Sequence, residues 1–354
     1  MPEKLLSVSS MTLREKIGQL FIMGFKGHDI SEDSSVLEMI KTDKPGGVIL
    51  FDKDMIGNKP VHNIKSPEQL SELTSALQGA ADIPLFISTD QEGGLIRRLK
   101  PEYGFPENKS HQKLGDIDET DITRQESELI AKTLSENGIN LNFAPVVDLT
   151  LNKKSSIIAK RERSFGSDPD KVIKHARAYI NGHLPSKVIT CCKHFPGHGS
   201  AEGDTHAGFV DVTDTWIEDE LQPYKTLIGE NKCPMIMTAH IFNEHFDQKM
   251  PATLSNYVLT DLLRKQLQFE GVVISDDMQM RAISDHYDLQ ESLRLGLNAG
   301  LDMFCFGNNL LKDQIQLEDA ILSVQHLVEN GDITEKRINQ SVDRILKLKE
   351  EYLV

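Results

Sequence analysis

The chain has 354 residues, 39% of them hydrophobic and 26% charged, which excludes a fibrous or disordered polymer and a single small module. Its 39 basic against 54 acidic residues leave a net charge of −15, which argues against nucleic acid as a partner, because such binding rests on Lys and Arg neutralising phosphates. No run approaches the ~20 apolar residues of a spanning helix, and the opening MPEKLLSVSSMTLREK carries Glu3 and lacks the apolar centre of a signal peptide; the reading is a soluble, cytoplasmic chain with no membrane partner.

In chain order, short apolar runs alternate with longer helical patterns. The first runs are residues 20–25 (LFIMGF) and 46–51 (GGVILF). A helix follows in SPEQLSELTSAL, where Ser66 caps, Pro67 takes the first helical position and Gln69 closes a capping box. Runs 84–90 (PLFISTD) and 139–149 (INLNFAPVVDL) come next, and then a helix that Asp168 and Pro169 start in the same way. The second half brings runs 188–197 (VITCCKHFPG) and 234–241 (PMIMTAHI), a helix from Ser255, runs 271–277 (GVVISDD) and 301–307 (LDMFCFG), and two helices between Lys312 and Tyr352.

These runs are near-continuously apolar, as strands covered on both faces are in a parallel sheet. Eight of them alternating with helices predict a closed (β/α)8 barrel of the TIM type rather than an open doubly wound sheet. No long Pro, Gly or Ser linker and no fixed-period repeat divides the chain, so residues 1–354 read as one domain with 312–354 as C-terminal helices packed on the barrel. Cys191, Cys192, Cys233 and Cys305 form no C-x-x-C pair and lie in or beside apolar runs, which reads as free buried thiols.

In such a barrel the chemistry sits at the C-terminal ends of the strands. PLFISTD ends at Asp90 and runs into QEGG, VITCCKH ends at Lys193 and His194, PMIMTAH at His240, and GVVISDD at Asp276 and Asp277. The densest group, KHFPGHGSAEGDTH, places Lys193, His194, His198, Asp204 and His206 in one loop with Gly197, Gly199 and Gly203. One residue separates Asp204 from His206, so a turn can bring carboxylate onto imidazole, favouring the imidazolium and fixing which ring nitrogen faces outward. That makes a candidate general acid. Adjacent strand residues point to opposite sides, so one of Asp276 and Asp277 aims at a ligand, as a candidate nucleophile, while the other meets backbone. Both aspartates could instead cap the helix that follows, and D-T-H could cap a turn.

The loop KHFPGHG with D-T-H behind it, the run GVVISDD, and the segments DQEGG, NFAPVVDL and RERSFGSDP closely resemble the glycoside hydrolase family 3 β-N-acetylglucosaminidases, the type that acts in bacterial cell-wall recycling. The resemblance extends from Ile17 to the LDMFCFG run. It implies a (β/α) barrel and exo-hydrolysis of a terminal β-N-acetylglucosamine, with retained configuration through a covalent glycosyl-enzyme and with peptidoglycan-derived muropeptides as substrate. It places the nucleophile at Asp276, the acid/base pair at His206 and Asp204, and sugar-hydroxyl contacts at Asp90, Arg163, Lys193 and His194, with His240 beside them. A small carbohydrate is the implied partner; no cofactor and no metal are implied.

The chemistry agrees with those residue types. A retaining glycosidase needs one group to attack the anomeric carbon and another to protonate the leaving oxygen and then activate water. A histidine in place of the second carboxylate departs from the common scheme, and its Gly-rich loop is expected to move to deliver it. The sequence departs from the family pattern at Leu95 in DQEGGLIRR, where Arg is usual, at the loop interior SAEG, and at QFEG before the nucleophile run, where GFDG is common. The chain ends soon after the barrel, leaving no room for the C-terminal domain that often carries the acid/base Glu of family 3 glucosidases, an expectation that favours the N-acetylglucosaminidase branch. Four other readings use the same residues: a β-glucosidase, a glycoside phosphorylase, a metal-dependent hydrolase on His194, His198, Asp204 and His206, and a non-catalytic sugar-binding protein. Trp216 and the tyrosines show no cluster marking a long polysaccharide groove, which favours a short substrate.

Overall fold

The computed structural model describes residues 7–29, 35–155 and 157–354. Eight strands close on themselves in chain order: β1 (Phe21–Gly24), β2 (Gly47–Ile49), β3 (Phe86–Thr89), β4 (Leu141–Asn142), β5 (Ile189–Phe195), β6 (Met235–Thr238), β7 (Val272–Asp277) and β8 (Met303–Phe306). Each pairs in parallel with the next, and β8 returns to β1 through Phe21↔Phe304, Ile22↔Cys305 and Met23↔Phe306. The expected (β/α)8 barrel is the fold. All of β1 to β6 and β8 is buried, which is why the runs show no polar alternation.

The ladders are shorter than the runs that predict them. Residues 139–149 give only Leu141–Asn142 to regular pairing, because Pro145 has no N–H to donate. Beyond it the chain stays beside β5 through Val147 N–H to the Lys193 carbonyl (2.9 Å) and Lys193 N–H to the Pro145 carbonyl (3.2 Å). This irregular edge carries Asp148 to the rim.

Helices Pro67–Gly79 and Pro169–His183 begin at the predicted caps, Ser66 accepting from Gln69 N–H and Asp168 from Asp170 N–H. Gln69 does not close the expected capping box. Its amide donates to the carbonyls of His28 (2.8 Å) and Asn63 (3.0 Å), and this pull leaves its own carbonyl on Lys65 N–H (2.8 Å), one residue upstream of the cap. The helix expected from Ser255 runs over Tyr257–Gln266 as a wide π-type helix, closed by Leu267 N–H on the Leu262 carbonyl. Residues 312–354 hold helices Leu317–Glu329 and Glu335–Leu353, both packed on helix Leu13–Gly18. On the floor of the barrel, Lys349 Nζ donates to Gln19 Oε1 (2.7 Å) and Lys16 pairs with Glu335 (2.8 Å), so helix Glu335–Leu353 is tied to the segment that leads into β1. The four cysteines are free and buried, and no helix among the described residues is long and apolar enough to cross a membrane.

Candidate active site

The strand ends open into one cavity of about 500 Å³. Asp90 reaches it from the end of β3, Lys193 and His194 from β5, Asp276 and Asp277 from β7, Arg163 from the loop after β4, and Asp204 and His206 from the loop after β5. His240 does not line it. Its ring is buried, with Nδ1 at 2.8 Å from Thr253 Oγ1 and Nε2 at 3.1 Å from the Asp277 carbonyl, so it supports the end of β7 from the side.

The inner wall is a closed set of ion pairs. Lys193 Nζ lies 2.8 Å from both Asp90 Oδ1 and Glu92 Oε1, and Arg98 donates to Asp90 Oδ2 (3.1 Å). Arg163 grips Glu92 with two parallel bonds, Nε to Oε2 (2.9 Å) and Nη2 to Oε1 (2.8 Å), the fork geometry that suits a buried carboxylate. Burial alone would raise both carboxyls. The neighbouring Lys193 and Arg98 cations overcome it for Asp90, which is held below the usual carboxylate range, and Arg163 with Lys193 hold Glu92 down to about 2.

Asp148 organises the second half of this wall. It is buried, lies 2.6 Å from His194 Nδ1, and takes the His198 N–H at 2.8 Å. Arg163 Nη2 stands 3.1 Å from His194 Nε2. With both nitrogens engaged, His194 is not placed to ligate a metal, and among the described residues no group of three or more His, Cys, Asp or Glu is.

Glu92 and Asp148 stand outside the predicted site set although both lie in motifs singled out in the sequence. The available signal was charge arithmetic: Arg163 and Lys193, buried together, need more than Asp90 to balance them.

On the opposite wall the two β7 aspartates have separated environments. Asp277 Oδ1 accepts from Gln279 N–H (3.0 Å), and a Cβ on Gly307 would fall 2.5 Å from Oδ2. Burial pushes its carboxyl up to about 6. Among the described residues the Asp276 carboxylate accepts only from the adjacent Asp277 N–H (2.8 Å). Burial raises it too, but His194, His240 and His206 outweigh that and hold it below the ordinary value. So Asp277 meets backbone and Asp276 is the ionised, less encumbered carboxylate.

Facing them, Asp204 Oδ1 lies 2.8 Å from His206 Nδ1 and also accepts the His206 N–H (2.9 Å). The imidazole therefore turns Nε2 away from Asp204. The hydrogen bond to His206 takes the Asp204 carboxyl down to about 2, while for His206 the Asp204 bond and the Asp276 charge outweigh burial and raise the imidazole.

The loop bearing this pair is anchored at its base. Gly197 has φ +119, and a Cβ on Gly199 would fall 1.8 Å from the Leu149 carbonyl, so neither position has room for a side chain. Gly199 N–H donates to Glu220 Oε2 (2.8 Å). Glu220 is buried, its Oε1 has no hydrogen-bond partner among the described residues, and burial pushes its carboxyl up to about 7.

Residues 12–348 match the family described as Glycosyl hydrolase family 3 N terminal domain. Over 339 residues the chain is 32% identical to the beta-hexosaminidase A of Pseudoalteromonas piscicida, covering 88% of this chain and 54% of that protein. Over 286 residues it is 34% identical to the beta-hexosaminidase of Tolumonas auensis, covering 78% and 80% respectively. The chain thus spans about half the length of the first and four fifths of the second. Its fold superposes on the glycoside hydrolase family 3 beta-N-acetylglucosaminidase from Paenibacillus sp. str. FPU-7 with a TM-score of 0.87 and 32% identity, over 97% of this chain and 63% of that one. With the barrel closed, the strand ends carrying these side chains and the family match running nearly end to end, the chain belongs to the glycoside hydrolases of family 3.

Proposed function

We propose that the protein is a retaining exo-β-N-acetylglucosaminidase acting on short substrates such as peptidoglycan-derived muropeptides. One observation carries the reading: Asp276 and the Asp204–His206 pair face the same cavity, across from a wall of buried, charge-paired donors and acceptors. Asp276 attacks the anomeric carbon, and the bond to the leaving oxygen breaks as His206 gives that oxygen its Nε2 proton. The neutral imidazole then takes a proton from the water that hydrolyses the glycosyl ester, and Asp276 leaves as carboxylate. Asp90, kept ionised by Lys193 and Arg98, accepts from sugar hydroxyls; Lys193, Arg163 and His194 complete the polar wall around the ring. The names of the relatives, beta-hexosaminidase and beta-N-acetylglucosaminidase, support the choice of sugar.

The test is the initial rate on an aryl N-acetyl-β-glucosaminide and on the matching β-glucoside, in phosphate-free buffer with chelator. The N-acetyl sugar is expected to be strongly preferred, and Asp276→Asn to lower turnover by on the order of 10³-fold or more. Near-normal turnover by Asp276→Asn would remove the nucleophile assignment, and turnover that required added phosphate would make the protein a phosphorylase.

A further inference from the structure

Apolar side chains scattered over a surface need no explanation, but several on one lip do. Met55 (65% exposed), Leu95 (63%) and Leu310 (37%) all line the mouth of the catalytic cavity. Their backbones are fixed. Leu95 stands at the tip of a turn closed by Gly93 N–H to the Ile96 carbonyl (3.1 Å) and the reverse bond (3.2 Å), and a Cβ on Gly94 (φ +58) would fall 2.4 Å from Ser110 Cβ. Asn309 Oδ1 accepts the Met55 N–H (2.9 Å) while its Nδ2 donates to the Lys53 carbonyl (2.9 Å), which clamps the loop after β2 to the segment carrying Leu310.

The same lip holds cations that the inner wall does not use. Lys53, Arg97 and Arg161 line it; among the described residues Lys53 and Arg161 form no ion pair, and Arg97 reaches only the exposed Glu107 at 3.4 Å. Deeper in, every cation is committed: Lys193 and Arg98 to Asp90, Arg163 to Glu92, Lys100 to Asp52. On a chain of net charge −15, cations that are unpaired or held only by an exposed carboxylate, beside exposed apolar groups, favour one kind of occupant.

We infer that the outer half of the cavity is a leaving-group subsite for an amphiphilic aglycone, with an apolar face against Met55, Leu95 and Leu310 and an anionic substituent towards Lys53, Arg97 and Arg161. This rests on the catalytic reading above, which decides which half receives the leaving group: the buried wall around Lys193 and Arg163 takes the sugar, and the half-exposed His206 stands where the leaving oxygen is protonated.

The test compares kcat/KM for the methyl, hexyl and 5-carboxypentyl N-acetyl-β-glucosaminides, whose alcohols differ little in acidity, with an activated aryl glycoside alongside. The hexyl glycoside is expected to exceed the methyl by about tenfold, and the carboxypentyl glycoside to exceed the hexyl at low salt, with that gain fading as salt rises. Leu95→Ser and, separately, Met55→Ser should lower the hexyl-to-methyl ratio. The double variant Lys53→Gln, Arg97→Gln should remove the carboxyl gain, and Leu322→Ser, exposed on the distant helix Leu317–Glu329, should change neither. Turnover of the aryl glycoside with a hexyl-to-methyl ratio near one would overturn the subsite and leave the catalytic reading standing. No turnover of any of the four substrates would overturn the catalytic reading and the subsite with it.

Discussion

Asp204 and His206 form a unit in which each group moves the other: the carboxyl falls to about 2 and the imidazole rises above its ordinary value. An acid that must carry a proton gives kcat/KM an alkaline limb where His206 loses it. Asp204→Asn takes away the charge that holds the proton on. The alkaline limb is then expected to move to lower pH while the acidic limb, set by Asp276 below the ordinary carboxylate range, keeps its place. A pH profile of kcat/KM checks this, and an unmoved alkaline limb would show that another group titrates there. The pair was legible in the sequence because two residues with a single residue between them can meet in a turn without tertiary help. Glu92 and Asp148 were not, because what fixes them is their partners Arg163 and His194, 71 and 46 residues away in the chain.

The loop after β5 owes its shape to an acid from another element. Glu220 ionises near 4.5 in an unfolded chain and near 7 in the fold, so its ionisation opposes folding progressively from pH 4.5 to 7 and by a constant amount above. Glu220→Gln keeps an acceptor for Gly199 N–H and removes that charge. The variant's gain in Tm over the wild type is expected to grow across this window and then level off, as thermal melts from pH 4.5 to 8 would show; a flat difference would mean that the charge costs the fold nothing. Strands and most helix starts were readable because burial on both faces and capping are written locally, in the apolar run and in Ser66 or Asp168. The anchor was not readable: Glu220 follows Gly199 by 21 residues, and no periodicity marks a buried acid.

Across the whole molecule, several buried histidines resist protonation, and three of them do so most strongly. Burial takes His111 down to about 3 and His183 and His198 to about 4. The unfolded chain takes up these protons near pH 6.5, so the stability they allow is complete above 6.5 and is lost as pH falls towards 4. His111 sits between Phe165 (4.3 Å) and Tyr179 (5.2 Å), and neither ring nitrogen has a hydrogen-bond partner among the described residues. His111→Leu is therefore expected to flatten the acid-side loss of stability by one proton, about 1.4 kcal/mol per pH unit. Denaturant unfolding at pH 5 and pH 7 measures the difference, and an unchanged slope would place the proton uptake elsewhere.

The pairing of β8 with β1 also governs how this chain is made. Synthesis delivers seven strands before Met303–Phe306, and until then β1 and β7 each keep one side of their backbone unmatched. Such sides recruit other strands. A ribosome making this protein thus carries the β1 edge for most of translation and the β7 edge for the stretch just before β8, and the strand that seals both also brings in Asn309, which fastens the cavity's lip. Protection from aggregation and completion of the mouth arrive in the same few residues.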